Sequence, residues 1–296
     1  MTMSTTILDG GMGQELSRRS ASPPTPLWSS QVLIDEPDLV ADLHREYIEA
    51  GADVITLASY TATPERLERH GVLDRFDALH AAALDIARRA RDESVLADER
   101  SAVRIAGSLP PLVGSYRPDT TPERDAALAS YRRIVERQAV GVDLFLCETM
   151  ASIAEASAAA TAALESGLPV WVALTVDDDR SGRLRSGESL ADARAALEPL
   201  GIATLLLNCS TPEAIDAAWP GLLGASVPIG AYANAFTSVA ALEPGGTVDA
   251  LDARTDLGPE AYAERAARWV ADGATIVGGC CETAPAHVRM LAERMS

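Results

Sequence analysis

Eight short apolar runs recur along the chain, each followed by a longer amphipathic stretch, and this alternation limits the possible folds more than any other feature. The runs cover 5–8, 53–59, 103–108, 142–148, 169–176, 203–209, 227–233 and 275–280. They are β-branched and nearly continuous in apolar character, as parallel strands buried on both faces require. Between and after them lie stretches with helical periodicity, at 35–52, 75–93, 122–141, 152–167, 189–201, 211–219, 259–274 and 284–295. Eight strand–helix alternations predict an α/β chain folded as a (β/α)8 TIM barrel. Closure leaves no strand edge exposed, whereas an open doubly wound sheet would. Residues 1–296 are read as one such domain, with 47% hydrophobic residues to fill its core. The connections 109–121, 177–188 and 234–258 are long for such a fold, which marks them as candidate functional loops.

Charge and composition exclude several classes of function. A net charge of −18 repels phosphate backbones and anionic lipid surfaces, so neither nucleic acid nor membrane is expected as a partner. No uncharged apolar run approaches membrane-spanning length, and MTMSTTILDG lacks the basic-then-apolar order of a signal peptide. The expected location is the cytoplasm, and the expected partners are small molecules. All 25 basic side chains are arginines, so lysine Schiff-base chemistry is ruled out.

In a barrel of this kind the active site forms at the C-terminal ends of the strands. Chemically loaded residues fall there: Asp9-Gly10-Gly11, Ser59-Tyr60, Glu148-Thr149, Asn208-Cys209, Tyr232, Asn234 and Cys280-Cys281. The thiols are the most informative. Disulfides are not expected in a reducing compartment, so metal binding is the reading for Cys209, Cys280 and Cys281. Strands six and eight bring these three to one rim. Gly278 and Gly279 should allow the turn that aims adjacent cysteines at one point, through unusual dihedrals and close approach. Three thiolates suit Zn2+ and leave a fourth position open, the mark of a catalytic site. Cys147 should not join them. In VDLFLCET it shares a face with Phe145, while Glu148 shares the other with Leu144 and Leu146.

These residues carry a resemblance. GGCCETAPAHVRML (278–291), LDGGMGQEL (8–16), the stretch 27–67, GVDLFLCET (141–149) and NCSTPEAI (208–215) resemble the homocysteine S-methyltransferases, a family of zinc-dependent barrels. The likeness covers most of the chain, with motifs at strands one, two, four, six and eight. One departure is Leu206, where the family often has glycine. The resemblance implies that Cys209, Cys280 and Cys281 hold zinc, and that Asp9, Gly10 and Glu148 grip the amino-acid part of homocysteine. It implies methyl transfer to the homocysteine thiolate from a sulfonium or ammonium donor, with S-methylmethionine the first expectation, giving methionine.

Around that core, backbone N–H groups near Gly10 and Gly11 are candidates for the substrate carboxylate. Trp28 and Tyr60, with Tyr116 and Tyr232 behind them, offer aromatic faces to a cationic donor. Asn234 either binds ligand or caps its own loop. His287 is expected to be structural, since three sulfurs already suffice. The rival functions are a non-catalytic zinc or redox protein and the homocysteine half of a cobalamin/folate enzyme. The absence of an added module after the barrel favours a standalone enzyme with a small donor.

Overall fold

The computed structural model describes residues 5–22, 27, 29–94, 103–239 and 251–295. Eight strands are present: β1 (Thr6–Ile7), β2 (Val54–Thr56), β3 (Arg104–Leu109), β4 (Leu144–Met150), β5 (Val170–Leu174), β6 (Thr204–Asn208), β7 (Ile229–Tyr232) and β8 (Ile276–Val277). Each falls within or at most two residues beyond one of the eight apolar runs. The helices among the described residues are α1 (Met12–Arg19), α2 (Ser29–Asp35), α3 (Pro37–Ala50), α4 (Pro64–Arg69), α5 (Phe76–Asp92), α6 (Arg124–Gln138), α7 (Ile153–Leu164), α8 (Leu190–Leu197), α9 (Pro212–Ala218), α10 (Pro259–Ala271) and α11 (Pro285–Met295). Periodicity located eight of these, while α1, α2 and α4 are additional and precede the second and third strands.

All ladder pairings are parallel, in the order β1-β8-β7-β6-β5-β4-β3-β2. The remaining seam is joined by a parallel bridge, Leu8 to Val54. Asp9 N–H donates to Val54 O at 3.0 Å and Asp53 N–H to Ile7 O at 2.7 Å, so the sheet closes on itself. This is the (β/α)8 barrel that the alternation predicts.

Alternation along the strands divides the core in two. Leu8, Val54, Leu144, Leu146, Leu206 and Ile276 pack inside the barrel. Phe145, Cys147, Val170, Val172, Leu205 and Leu207 point outward into the layer beneath the helices. Leu206, noted in the sequence as a departure from the resemblance, is a fully buried part of the inner filling. The loops at the C-terminal rim are pinned by helix caps. Thr63, Ser152, Ser189 and Thr211 each accept a first-turn N–H, of Arg66, Glu155, Asp192 and Ala214 respectively. No helix among the described residues is long and apolar enough to cross a membrane.

Candidate metal centre and substrate cavity

The three thiols converge. The sulfur atoms of Cys209, Cys280 and Cys281 lie within 4.8 Å of one another, with Cys209 Sγ 3.6 Å from Cys281 Sγ. No other trio of His, Cys, Asp or Glu side chains meets this way among the described residues. Cys209 reaches the point by leaving β6 in a left-handed turn, φ 45°. The β8 turn is solved differently from the expectation. Neither Gly278 nor Gly279 has a positive φ, and the left-handed residue is Glu282, at 64°. The glycines serve close approach instead. A Cβ at Gly279 would lie 2.1 Å from Thr283 Oγ1, and one at Gly278 would lie 2.4 Å from Leu8 Cβ. The chain can then be stitched to its neighbours, with Cys280 N–H donating to Ala233 O and Ala235 N–H to Cys281 O.

Burial pushes the Cys209 thiol up, but hydrogen bonds from Cys280, Cys281 and Tyr116 outweigh it and hold this sulfur well below the ordinary thiol range. Cys280 and Cys281, bonded to that sulfur and buried beside it, are pushed up in turn. Within the trio, Cys209 is thus the sulfur whose surroundings favour the thiolate most. Soft and convergent, the trio is a donor set that fits a thiophilic divalent ion such as zinc. Cys147 is fully buried in the outer layer, where burial pushes its thiol up. His287 also lies apart. Its Nδ1 accepts the Ala284 N–H at 3.1 Å, and its ring packs edge-on to Tyr262.

The cysteines line a cavity of about 100 Å³ at the C-terminal mouth of the barrel. Asp9, Gly10, Gly11, Tyr60 and Glu148 line it as well, as do Tyr116 and Tyr232. Asp9 Oδ2 accepts the Thr56 N–H at 2.7 Å, and Glu148 Oε1 accepts the Ser108 hydroxyl at 2.6 Å. Burial raises Asp9 to about 7, only partly offset by its Thr56 hydrogen bonds. Burial raises Glu148 to about 8, partly offset by Ser108 and reinforced by Asp9 and Cys209. No arginine or histidine belongs to the described lining. Two carboxylates thus face one small cavity whose described lining offers no cation to neutralise them.

Other expectations are revised. Gly11 N–H is already taken, donating to Thr283 O at 2.8 Å, so it does not remain free for a substrate carboxylate. Asn234 is wholly buried but does not belong to the lining. Its Oδ1 accepts the Phe236 N–H at 3.2 Å, an Asx turn that shapes its own loop. Trp28 lies outside the described residues. The rings of Tyr60 and Tyr116 each carry a guanidinium of the protein, Arg66 at 5.4 Å and Arg185 at 4.9 Å.

Several contributors were not singled out from sequence. Gln14 lines the cavity from the first turn of α1, 4% exposed, with its Nε2 buried and without a hydrogen-bond partner. Tyr232, which the sequence did single out for its ring, has its Oη likewise buried and unpartnered. Thr56 and Ser108, also not foreseen, hold the carboxylates, while Asn208, already placed at a strand end by the sequence, ties the ends of β4 and β6 together. The position of Gln14 directly after the DGGMG turn was a usable signal. Small polar residues inside strands gave none.

A family model described as homocysteine S-methyltransferase matches residues 6–295. Homocysteine S-methyltransferase of Escherichia coli (strain K12) is 33% identical, over 97% of this chain and 94% of its own length. Homocysteine S-methyltransferase 4 of Zea mays is 30% identical, over 97% of this chain and 88% of its own. The crystal structure of the homocysteine methyltransferase MmuM from Escherichia coli, in its metallated form, superposes with a TM-score of 0.81 at 30% identity. That match covers 99% of this chain and 97% of that one. The chain belongs to the homocysteine S-methyltransferase family and is a methyltransferase.

Proposed function

We propose that the protein transfers a methyl group from a sulfonium or ammonium donor, S-methylmethionine first among them, to the thiolate of L-homocysteine, giving methionine. Cys209, Cys280 and Cys281 would hold zinc for this reaction. The observation that carries the reading is the pairing of a three-thiol cluster with two uncompensated carboxylates in one small cavity. Homocysteine offers the complement of both, a soft sulfur at one end and an ammonium at the other. Zinc bound by the cysteines supplies the charge that ionises an incoming thiol near neutral pH, where a free thiol of pKa ~8.5 is only a few per cent thiolate.

The chain's own groups do the positioning. Asp9 and Glu148 receive the ammonium, and its charge in turn favours their ionised forms. The first turn of α1 presents N–H groups and the positive end of its dipole, with the Gln14 Nε2 donor beside them, to the α-carboxylate. Met12, Leu57 and Ala58 give the cavity apolar wall. That wall matters because the reaction annihilates charge. A cationic donor and a thiolate become two neutral products as the new carbon–sulfur bond forms and the old bond's electron pair leaves with the donor. A site of low polarity strengthens the attraction that draws the pair together. Tyr232 supplies ring surface to the donor cation, the rings of Tyr60 and Tyr116 already carrying Arg66 and Arg185. Most of the acceleration comes from holding sulfur, methyl carbon and leaving group in line.

The test is a donor panel. Zinc-loaded protein and homocysteine are incubated with S-methylmethionine, betaine, S-adenosylmethionine or a dimethylsulfonio compound, and methionine is quantified by chromatography. The expected result is turnover with S-methylmethionine above the others. Turnover with betaine alone would reassign the donor. Zinc binding with no methionine from any donor would point to the non-catalytic metal protein instead.

A further inference from the structure

The phenol of Tyr116 lies 2.9 Å from Cys209 Sγ, and the structure spends several unusual features on keeping it there. Tyr116 belongs to the long loop after β3 and adopts φ 63°, a left-handed conformation costly for a bulky side chain. Its ring is covered by the Arg185 guanidinium at 4.9 Å. Arg185 comes from the second long loop and is nearly buried, with its side chain 9% exposed. It pairs with Asp178 at 3.2 Å and donates from Nε to Thr175 Oγ1 at 3.0 Å. Thr175 in turn bonds the Cys209 carbonyl at 3.3 Å. Asp178 also accepts the Val239 N–H at 3.2 Å, tying in the loop after β7. Arg185 therefore braces both ends of one contact: the phenol through its ring, and the cysteine through Thr175.

We infer that Tyr116 is a positioning residue for the metal centre, its hydroxyl donating to the Cys209 sulfur so that the thiolate keeps its aim toward Cys280 and Cys281. This rests on the reading of the three cysteines as metal ligands. Cys209 needs such a restraint more than its partners do. Its backbone is strained, and it stands alone on β6, whereas Cys280 and Cys281 fix one another through the chain. Three ionised sulfurs in contact also repel, and a donor on one of them disperses part of that charge. Hydrogen bonds of this kind orient ligands and set metal affinity, and their loss typically weakens binding by roughly 10- to 100-fold.

The experiment measures zinc affinity by competition with a chromogenic chelator, and the sulfur-to-metal charge-transfer band of Co2+-loaded protein. Tyr116→Phe keeps the ring and its contact with Arg185 but removes the donor. The expected result is zinc binding weakened by about 10-fold, with the Co2+ band shifted. Arg185→Met, which loosens the phenol without deleting it, should weaken zinc in the same direction by a smaller factor, and it carries the test should Tyr116→Phe not fold. Wild-type protein that binds no zinc would sink the metal reading itself. Wild-type protein that binds zinc, beside a folded Tyr116→Phe of equal affinity and unchanged spectrum, overturns the role of Tyr116 alone.

Discussion

Asn208 grips Thr149 at two points over the end of β5: its Oδ1 accepts the Thr149 N–H at 2.9 Å and its Nδ2 donates to Thr149 Oγ1 at 3.0 Å. Both residues are buried. The hook joins two strained places, since Thr149 has φ 60° and Cys209, the residue after Asn208, has φ 45°. Non-glycine residues held this way cost on the order of 1–3 kcal/mol each and persist only where the surroundings over-determine them. Glu148 precedes one of these residues, and the other is a thiol of the cluster. The hook therefore fixes the distance between the group proposed for the ammonium and the group proposed for the metal.

Asn208→Leu should consequently damage three things together. It leaves the Thr149 N–H buried and unpartnered, which costs about 1–3 kcal/mol of stability. It should also weaken zinc binding and raise KM for homocysteine, because Cys209 and Glu148 lose their common reference. Urea unfolding, chelator competition and steady-state kinetics read the three effects. A destabilised protein with unchanged zinc affinity and KM would reduce the hook to ordinary packing.

The cysteines separate by face. Cys281→Ser and Cys209→Ser should each lose zinc and methyl transfer together, since a hydroxyl is a poor substitute for a thiolate toward a soft ion. Cys147→Ala should keep full metal content, because Cys147 packs beneath the helices with Phe145. Metal analysis of the three purified variants checks this. Turnover retained by metal-free Cys281→Ser would refute the thiol cluster as the reacting centre.

That separation was visible in VDLFLCET, because strand alternation alone sends Cys147 one way and Glu148 the other. The barrel itself was legible for the same reason: strand and helix periods are local properties. What stayed hidden depends on contacts far apart in sequence. Nothing in the loop 109–121 announces that Tyr116 will reach a sulfur 93 positions away. Helix α1 was obscured because its start, after Gly10 and Gly11, reads as a turn. The roles of Gly278 and Gly279 were misjudged in part, because sequence cannot tell a glycine needed for its φ from one needed for the space beside it.

His44 predicts the acid limb of stability. It is fully buried on α3, and neither ring nitrogen has a hydrogen-bond partner. Burial lowers its pKa from 6.5 to about 4. Between those values the unfolded chain binds the proton and the folded chain does not. The stability at stake is therefore present above about pH 6.5 and is lost as pH falls toward 4, in all about 3 kcal/mol at roughly 1.4 kcal/mol per unit. His80, lowered to about 4 by burial against its bond to Ala62 O, adds in the same direction. His44→Met should flatten this limb. Urea unfolding at pH 7 and pH 5 measures it, and a variant that loses as much stability on acidification as wild type would contradict the assignment.

Glu148 works with the opposite sign, and it ties stability to function. Its folded pKa of about 8 lies above the ordinary 4.5, so the folded chain holds a proton that the unfolded chain has released. The advantage of the protonated form is complete below about pH 4.5 and is lost as pH rises through 8. Glu148→Gln removes this penalty, so in metal-free, ligand-free protein its stability should exceed that of wild type increasingly from pH 5 to 9. The gain at pH 9 should be on the order of 2 kcal/mol, since cavity water screens part of the charge. The same variant forfeits the charge that receives the ammonium, and kcat/KM for homocysteine should fall by about 100-fold, close to 3 kcal/mol. In wild type, kcat/KM should rise with pH through the 7–8 range as Glu148 and Asp9 ionise, and the Gln variant should lose the Glu148 share of that rise. Thermal unfolding and a pH–rate profile on both proteins decide the matter. A variant no more stable at high pH and no weaker for homocysteine would mean that the carboxylate faces neither a desolvated cavity nor an ammonium.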